Sequence, residues 1–328
     1  MQRKTLWIVA PLVLAGLVIA GVVLAPGVLS PRSTVRDDSR NASPEPSPSP
    51  QPAETISVPT WHVGDSWTYN VSFGRPMDEG GLGPSGFHGE ITKSVAAVES
   101  TGNGEAYNVT VDGAFAFEGF TALTESGEVH LSDANVGGYT RYRTSDLAKI
   151  LEARTLQISG SVSAFNRTLD VSYSSTVTVS FDPPLAVWQF PLAENATWNV
   201  TSNATIHYAA SYELVGTNLS FGTTHWANLT LPVRFAVRTG MFEDVTTPAG
   251  TFRALEASAY PAPIRFAPPE RAASLLLNTT EEPILAPPHP FARAWFSGNV
   301  GNVVKAVSWG SYDLGGRLEI VLVAYHRD

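Results

Sequence analysis

Apolar and polar residues alternate with a period of two through most of the chain beyond residue 60, and no other feature constrains the fold as strongly. Successive side chains of an extended strand point to opposite faces, so this alternation builds sheets with one packed and one wetted side. It covers residues 67–73, 88–98, 105–111, 114–121, 155–163, 168–181, 196–208, 228–237, 251–260, 302–309 and 317–325. Turn chemistry separates several of these runs, as at Asp78-Glu79-Gly80-Gly81, Thr101-Gly102-Asn103-Gly104 and Gly315-Gly316. Helical signals are confined to 145–153 and 269–277. The expectation is an all-β fold, a curved antiparallel sheet or incomplete β-barrel.

The polar rows have a second property. In the stretch ENATWNVTSNATI, Asn195, Asn199 and Asn203 recur every fourth residue, each followed two places on by threonine. This is the N-x-[ST] acceptor pattern for N-linked glycan, and it recurs at Asn41, Asn70, Asn108, Asn166, Asn218, Asn228 and Asn278. Ten of the 14 asparagines therefore sit in it, whereas serine and threonine at 59 of 328 residues would place only about two or three there by chance. Acceptors four apart in a strand share its outer face at intervals of about 13 Å, leaving Trp198, Val200 and Ile206 for a core.

The N-terminus agrees with an extracytoplasmic domain. MQRK precedes an uncharged apolar run from Leu6 to Leu29, 24 residues that span roughly 36 Å as a helix, enough to cross a bilayer. Its length favours a retained signal anchor over a cleaved secretory signal, whose apolar region is shorter. Arg3 and Lys4 face Arg32, Arg36 and Arg40 across the run, so charge leaves the orientation undecided. The glycan acceptors decide it, since all lie beyond the run. Residues 30–59 are rich in Pro and Ser and read as an extended stalk. The expected organisation is a single-pass membrane anchor over 1–29, a linker over 30–59, and β-rich halves over 60–182 and 183–328.

Composition excludes several functions. A net charge of −9 with only 16% charged residues offers no basic surface for nucleic acid. The absence of cysteine removes disulfides and thiolate chemistry, so packing must hold the fold. A glycosylated surface chain with 17 arginines, 4 lysines and no disulfide has the composition of an archaeal envelope protein. The seven histidines show no metal-ligand spacing, no G-x-S-x-G elbow occurs, and acidic pairs such as Glu281-Glu282 are adjacent, hence divergent in a strand. No catalytic, metal or cofactor residue is singled out. A hydrolase would need a site converged from distant strands. Eight tryptophans and fifteen phenylalanines supply either core packing or the lining of a cavity for a lipid or other apolar ligand, which the Ala-, Pro- and Leu-rich stretch 262–290 would close.

Internal matches suggest a duplication. Trp61-His62-Val63-Gly64-Asp65-Ser66-Trp67 aligns with Leu192-Ala193-Glu194-Asn195-Ala196-Thr197-Trp198, and the stretch from Tyr142 to Leu151 aligns with that from Trp295 to Val304. The segments VTTPAGTF (245–252) and WFSGNVGNVVK (295–305), with L-x-x-G-x-x-W at the strand openings, resemble the TapB-like exported domains of unknown function, which are similar to the LolA/LolB lipoprotein carriers. The chain departs from that pattern at Gly298-Asn299, where Pro-Glu is usual, and at Asn195, where glycine is usual. The resemblance implies a strongly curved sheet with an apolar concave side and supplies no catalytic residues. The function expected is a non-catalytic envelope component or binding module, whose partner is an apolar ligand or another envelope protein.

Overall fold

The computed structural model describes residues 54–74, 86–118, 121–124, 127–164, 167–214, 220–261, 290–309 and 316–328. The expected anchor, residues 30–53 of the expected stalk, the helical candidate at 269–277 and segment 262–289 lie outside the described residues, whereas residues 54–59 at the end of that stalk are described and carry the first short strand. Fifteen strands follow in chain order: β1 (Thr55–Ile56), β2 (Ser66–Gly74), β3 (Gly86–Thr101), β4 (Gly104–Glu118), β5 (Thr121–Thr124), β6 (Gly127–Arg143), β7 (Lys149–Ala164), β8 (Arg167–Leu185), β9 (Leu192–Ala193), β10 (Thr197–Leu214), β11 (Ser220–Thr247), β12 (Gly250–Pro261), β13 (Ala292–Ser297), β14 (Asn302–Trp309) and β15 (Arg317–His326).

The sheet closes on itself. Its order is β4-β3-β2-β15-β14-β13-β12-β11-β10-β8-β7-β6, and β4 then pairs with β6 from Ala106↔Arg143 to Ala116↔Asp133. The result is a closed antiparallel barrel of twelve strands, where the sequence led us to expect an open or incomplete one. The reason for the difference is β6. Its Gly-, Asp- and Asn-bearing sequence is absent from the alternating runs, yet it supplies the strand that joins both edges. Gly138 makes this feasible: its φ is +137°, and a Cβ there would stand 2.1 Å from the Ala153 carbonyl oxygen across the ladder. β13 also escaped the pattern, and the two runs at 105–111 and 114–121 merge into β4 across Gly113. The stretch 145–153 is turn and strand rather than helix, with β7 beginning at Lys149.

The two expected halves share one barrel, meeting where β8 pairs with β10 and where β2 pairs with β15. The expected faces are clear on β10: Trp198, Val200, Ser202 and Ala204 are buried, while Thr197, Asn199, Thr201 and Asn203 are exposed. Thr155, Gln157 and Ser159 on β7, with Thr176 and Asp182 on β8, continue that outer polar surface. An apolar interior and a hydroxyl-rich exterior are the reverse of a lipid-facing transmembrane barrel.

One end of the barrel is plugged. The segment leading into β2 turns Trp61 inward against Trp67, Tyr107 and Tyr142, with ring centroids 5.1, 5.3 and 5.5 Å away. Both indoles are satisfied there, Trp61 Nε1 donating to the Gly301 carbonyl at 2.8 Å and Trp67 Nε1 to the Val300 carbonyl at 3.1 Å. Buried Asp65 accepts hydrogen bonds from His62 N and Asp328 N, both at 3.0 Å, tying the start of β2 to the C-terminus. Leu185, Val187, Trp188 and Phe190, on the connection from β8 to β10, pack inward as well, and β9 pairs with β1 beside them.

Gly138→Val should lower stability by about 2 kcal/mol or more, because either the β6–β7 ladder or the backbone dihedral must yield. A urea midpoint that falls with an unchanged slope would show it; an unaltered midpoint would contradict the role given to this glycine.

Candidate functional site

The interior is not filled. Across β12, β13 and β14 two registered rows face inward, Ala259↔Ala292↔Ser308 and Ala257↔Ala294↔Ala306. Six short side chains stand here together, and a cavity of about 250 Å³ lies against them. Apolar groups such as Val71, Ile91, Phe235 and Phe296 close its sides, while the Trp61 and Leu147 plug closes one end. The volume is just below the roughly 300 Å³ at which pockets for drug-sized ligands begin, so it suits one small or single-chain molecule.

The opposite wall is charged. β6 lies six strands from β13 in either direction round the ring, and β7 is its neighbour. Glu152 and Arg154 share the inward face of β7 with Leu156 and Ile158, and both are buried. Lys149 Nζ contacts Glu152 Oε2 at 2.5 Å, and Arg154 Nη2 lies 2.8 Å from Glu152 Oε1. Arg154 also donates to the Tyr139 carbonyl at 2.7 Å and to Thr140 Oγ1 at 2.6 Å. The set is still not closed on itself: among the described residues Glu152 Oε1 has no donor in hydrogen-bonding geometry, and Arg154 Nε has no acceptor. Lys93, on the inward face of β3 with Ile91, brings its ammonium to 5.6 Å from the centre of the Tyr69 ring.

Burial shapes the titration of this wall. Burial pushes the Tyr69 phenol well above its ordinary range, and the neighbouring Tyr142 adds to the rise. For Lys149, burial lowers the ammonium pKa, but the attraction of Glu152, a smaller contribution from Tyr142 and the hydrogen bond to Glu152 outweigh it, and the net shift is upward.

The interior rows continue towards the other end. On β11, Val237 and Phe235 are buried, whereas Leu231 and Leu229 on the same face are each 42% exposed. Pairing of β12 with β11 stops at Phe235↔Pro261, so that face loses its described neighbour there. A second hollow, of about 340 Å³, lies outside the barrel beside Thr55 to Pro59. Its two arginines are already engaged, Arg253 with Glu54 at 3.3 Å and Arg327 with the Thr60 and Asn299 carbonyls at 2.8 and 3.2 Å. The largely apolar cavity within the barrel is therefore the stronger candidate.

The expected glycan acceptors are scattered. Asn70, Asn199 and Asn203 lie exposed on the outer face. Asn195 is exposed too but sits in the turn before β10 with φ +56°, a left-handed conformation that asparagine tolerates where glycine is more usual. Asn108 is half-buried, its Nδ2 donating to Glu99 Oε1 at 2.7 Å. Asn228 lies on β11, and Asn41, Asn166, Asn218 and Asn278 fall outside the described residues. Among the described residues no group of three or more His, Asp or Glu is placed to hold a metal ion.

Sequence reasoning offered an aromatic-lined cavity as one alternative but did not locate it, and it missed the charged wall. One signal was present: Glu152 and Arg154 occupy the parity of Leu156 and Ile158, which places charge on the packed face. No family model, curated protein or solved structure matches the chain.

The signs of the two shifts agree. Each folded-state pKa is raised, so each group stabilises fully below its unfolded value and loses that contribution as pH climbs towards the folded one. The melting temperature should hold through neutral pH and fall above about pH 10, with Tyr69→Phe flattening the decline. A melting temperature that stays level through strongly alkaline pH would contradict this.

Proposed function

We propose that the chain is a membrane-anchored, extracytoplasmic binding protein whose barrel holds a small apolar or amphipathic molecule, acting by sequestration rather than catalysis. One observation carries this reading: a row-by-row patch of Ala and Ser on β12–β14 leaves an apolar cavity of about 250 Å³ within an otherwise packed barrel. A barrel selected only for stability would fill such space, since empty volume forfeits dispersion contacts. The resemblance to the TapB-like domains, with their apolar concave side, points the same way.

The reading is tested with 1-decanol and isothermal titration calorimetry on the full chain in detergent. Saturable binding is expected, and Ala294→Leu, which occupies the cavity, should weaken it about tenfold or more without lowering the melting temperature. No binding by the parent protein, or equal binding by the variant, would overturn the cavity as the site.

The anchor and the sugar form the other half of the proposal. The 24-residue apolar run supports an anchor, and the acceptor pattern, with Asn70, Asn199 and Asn203 on the outer face, supports a glycosylated exterior. Protein from native membranes should remain with them at high salt, and peptide mapping should find glycan on Asn199 or Asn203. Bare asparagines throughout, or an ectodomain released intact into the medium, would refute it.

A further inference from the structure

The charges around the cavity are unlike those of the rest of the molecule. The chain as a whole carries −9, yet Lys93, Lys149, Arg154 and Arg293 line the cavity against the single carboxylate of Glu152; with Arg293 paired to Glu256 at 3.5 Å, the remaining local balance is +3 − 1 = +2. Lysine is rare in this sequence, at positions 4, 93, 149 and 305 only, and two of the three beyond the apolar run point into the barrel. Unbalanced cations in an apolar interior are costly unless an anion joins them.

The arrangement is open to such a partner. Lys93 meets the face of Tyr69 and has no carboxylate within ion-pair distance among the described residues. Lys93, Lys149, Tyr69 and Tyr142 all line this one cavity. Among the described residues the buried Arg154 Nε has no acceptor. Facing this polar wall is the Ala and Ser patch, which offers only apolar contact and room.

We propose that the natural ligand is an anionic amphiphile with one apolar chain, its carboxylate-like head held between Lys93 and Lys149 and its chain lying against the Ala257, Ala294 and Ala306 row. This rests on the reading that the cavity is the binding site and adds the charge of what it binds. The geometry assigns the two ends different tasks: the short side chains admit the hydrocarbon, and the two ammonium groups select against a neutral head of equal length.

The test compares decanoate with 1-decanol at pH 8, where the acid is ionised, by isothermal titration calorimetry on the full chain. Decanoate is expected to bind about tenfold tighter. Lys93→Met, which keeps the stem and removes the charge, should reduce that preference to about threefold. Equal binding of both probes by the parent protein would overturn the anionic assignment and leave the apolar cavity standing. A full preference retained in Lys93→Met would overturn the role of that lysine. Binding of neither probe would remove the cavity reading and this inference together.

Discussion

Twelve strands enclose more cross-section than inward side chains alone can fill; eight are about the number at which they do. Every other property of the interior follows from that excess and from the way it is taken up. The chain fills one end with segments that are not part of the ring, folding Trp61 and Leu147 into it and packing Leu185, Val187 and Trp188 alongside Phe296. These insertions are sealed by hydrogen bonds from the two indoles to the β13–β14 connection, so the plug is both apolar and polar-satisfied. What remains unfilled is the volume beside the Ala and Ser rows.

That residual space and the ionic wall opposite it are physically coupled. A carboxylate as fully buried as Glu152 is tolerable only because Lys149 and Arg154 stand within contact distance. The pairing still carries a desolvation cost that leucines at the same positions would avoid. Glu152 and Arg154 occupy a face otherwise given to Leu156 and Ile158, with short residues across the ring, so the two walls of one cavity differ in kind. That asymmetry gives a bound molecule an orientation as well as a place.

The exterior obeys a separate requirement. Each long strand alternates, so the rows opposite the packed side chains are free to carry Thr, Ser and Asn, and on β10 they present Asn199 and Asn203 to solvent. Closure of the ring removes free edges over the paired lengths, which matters for a chain with no cysteine to reinforce it. Stability here is carried by ladder pairing and burial.

Period-two alternation and turn residues determined by themselves that the protein is all-β, which residues of β10 face inward, and where a turn such as that at Gly102-Asn103-Gly104 falls, because these depend on neighbours one to four residues apart. Alternation could not reveal closure: the residues of β6 fall outside the alternating runs, and pairing with β4 and β7 makes them a strand. The place of the cavity was equally hidden, since Ala257, Ala294 and Ala306 come from three strands and are unremarkable until register sets them side by side. Likewise Lys93 and Lys149 are 56 residues apart in the chain and meet the same space only because the ring brings β3 and β7 round to it. Local chemistry chose the strand faces; long-range pairing decided what they enclose.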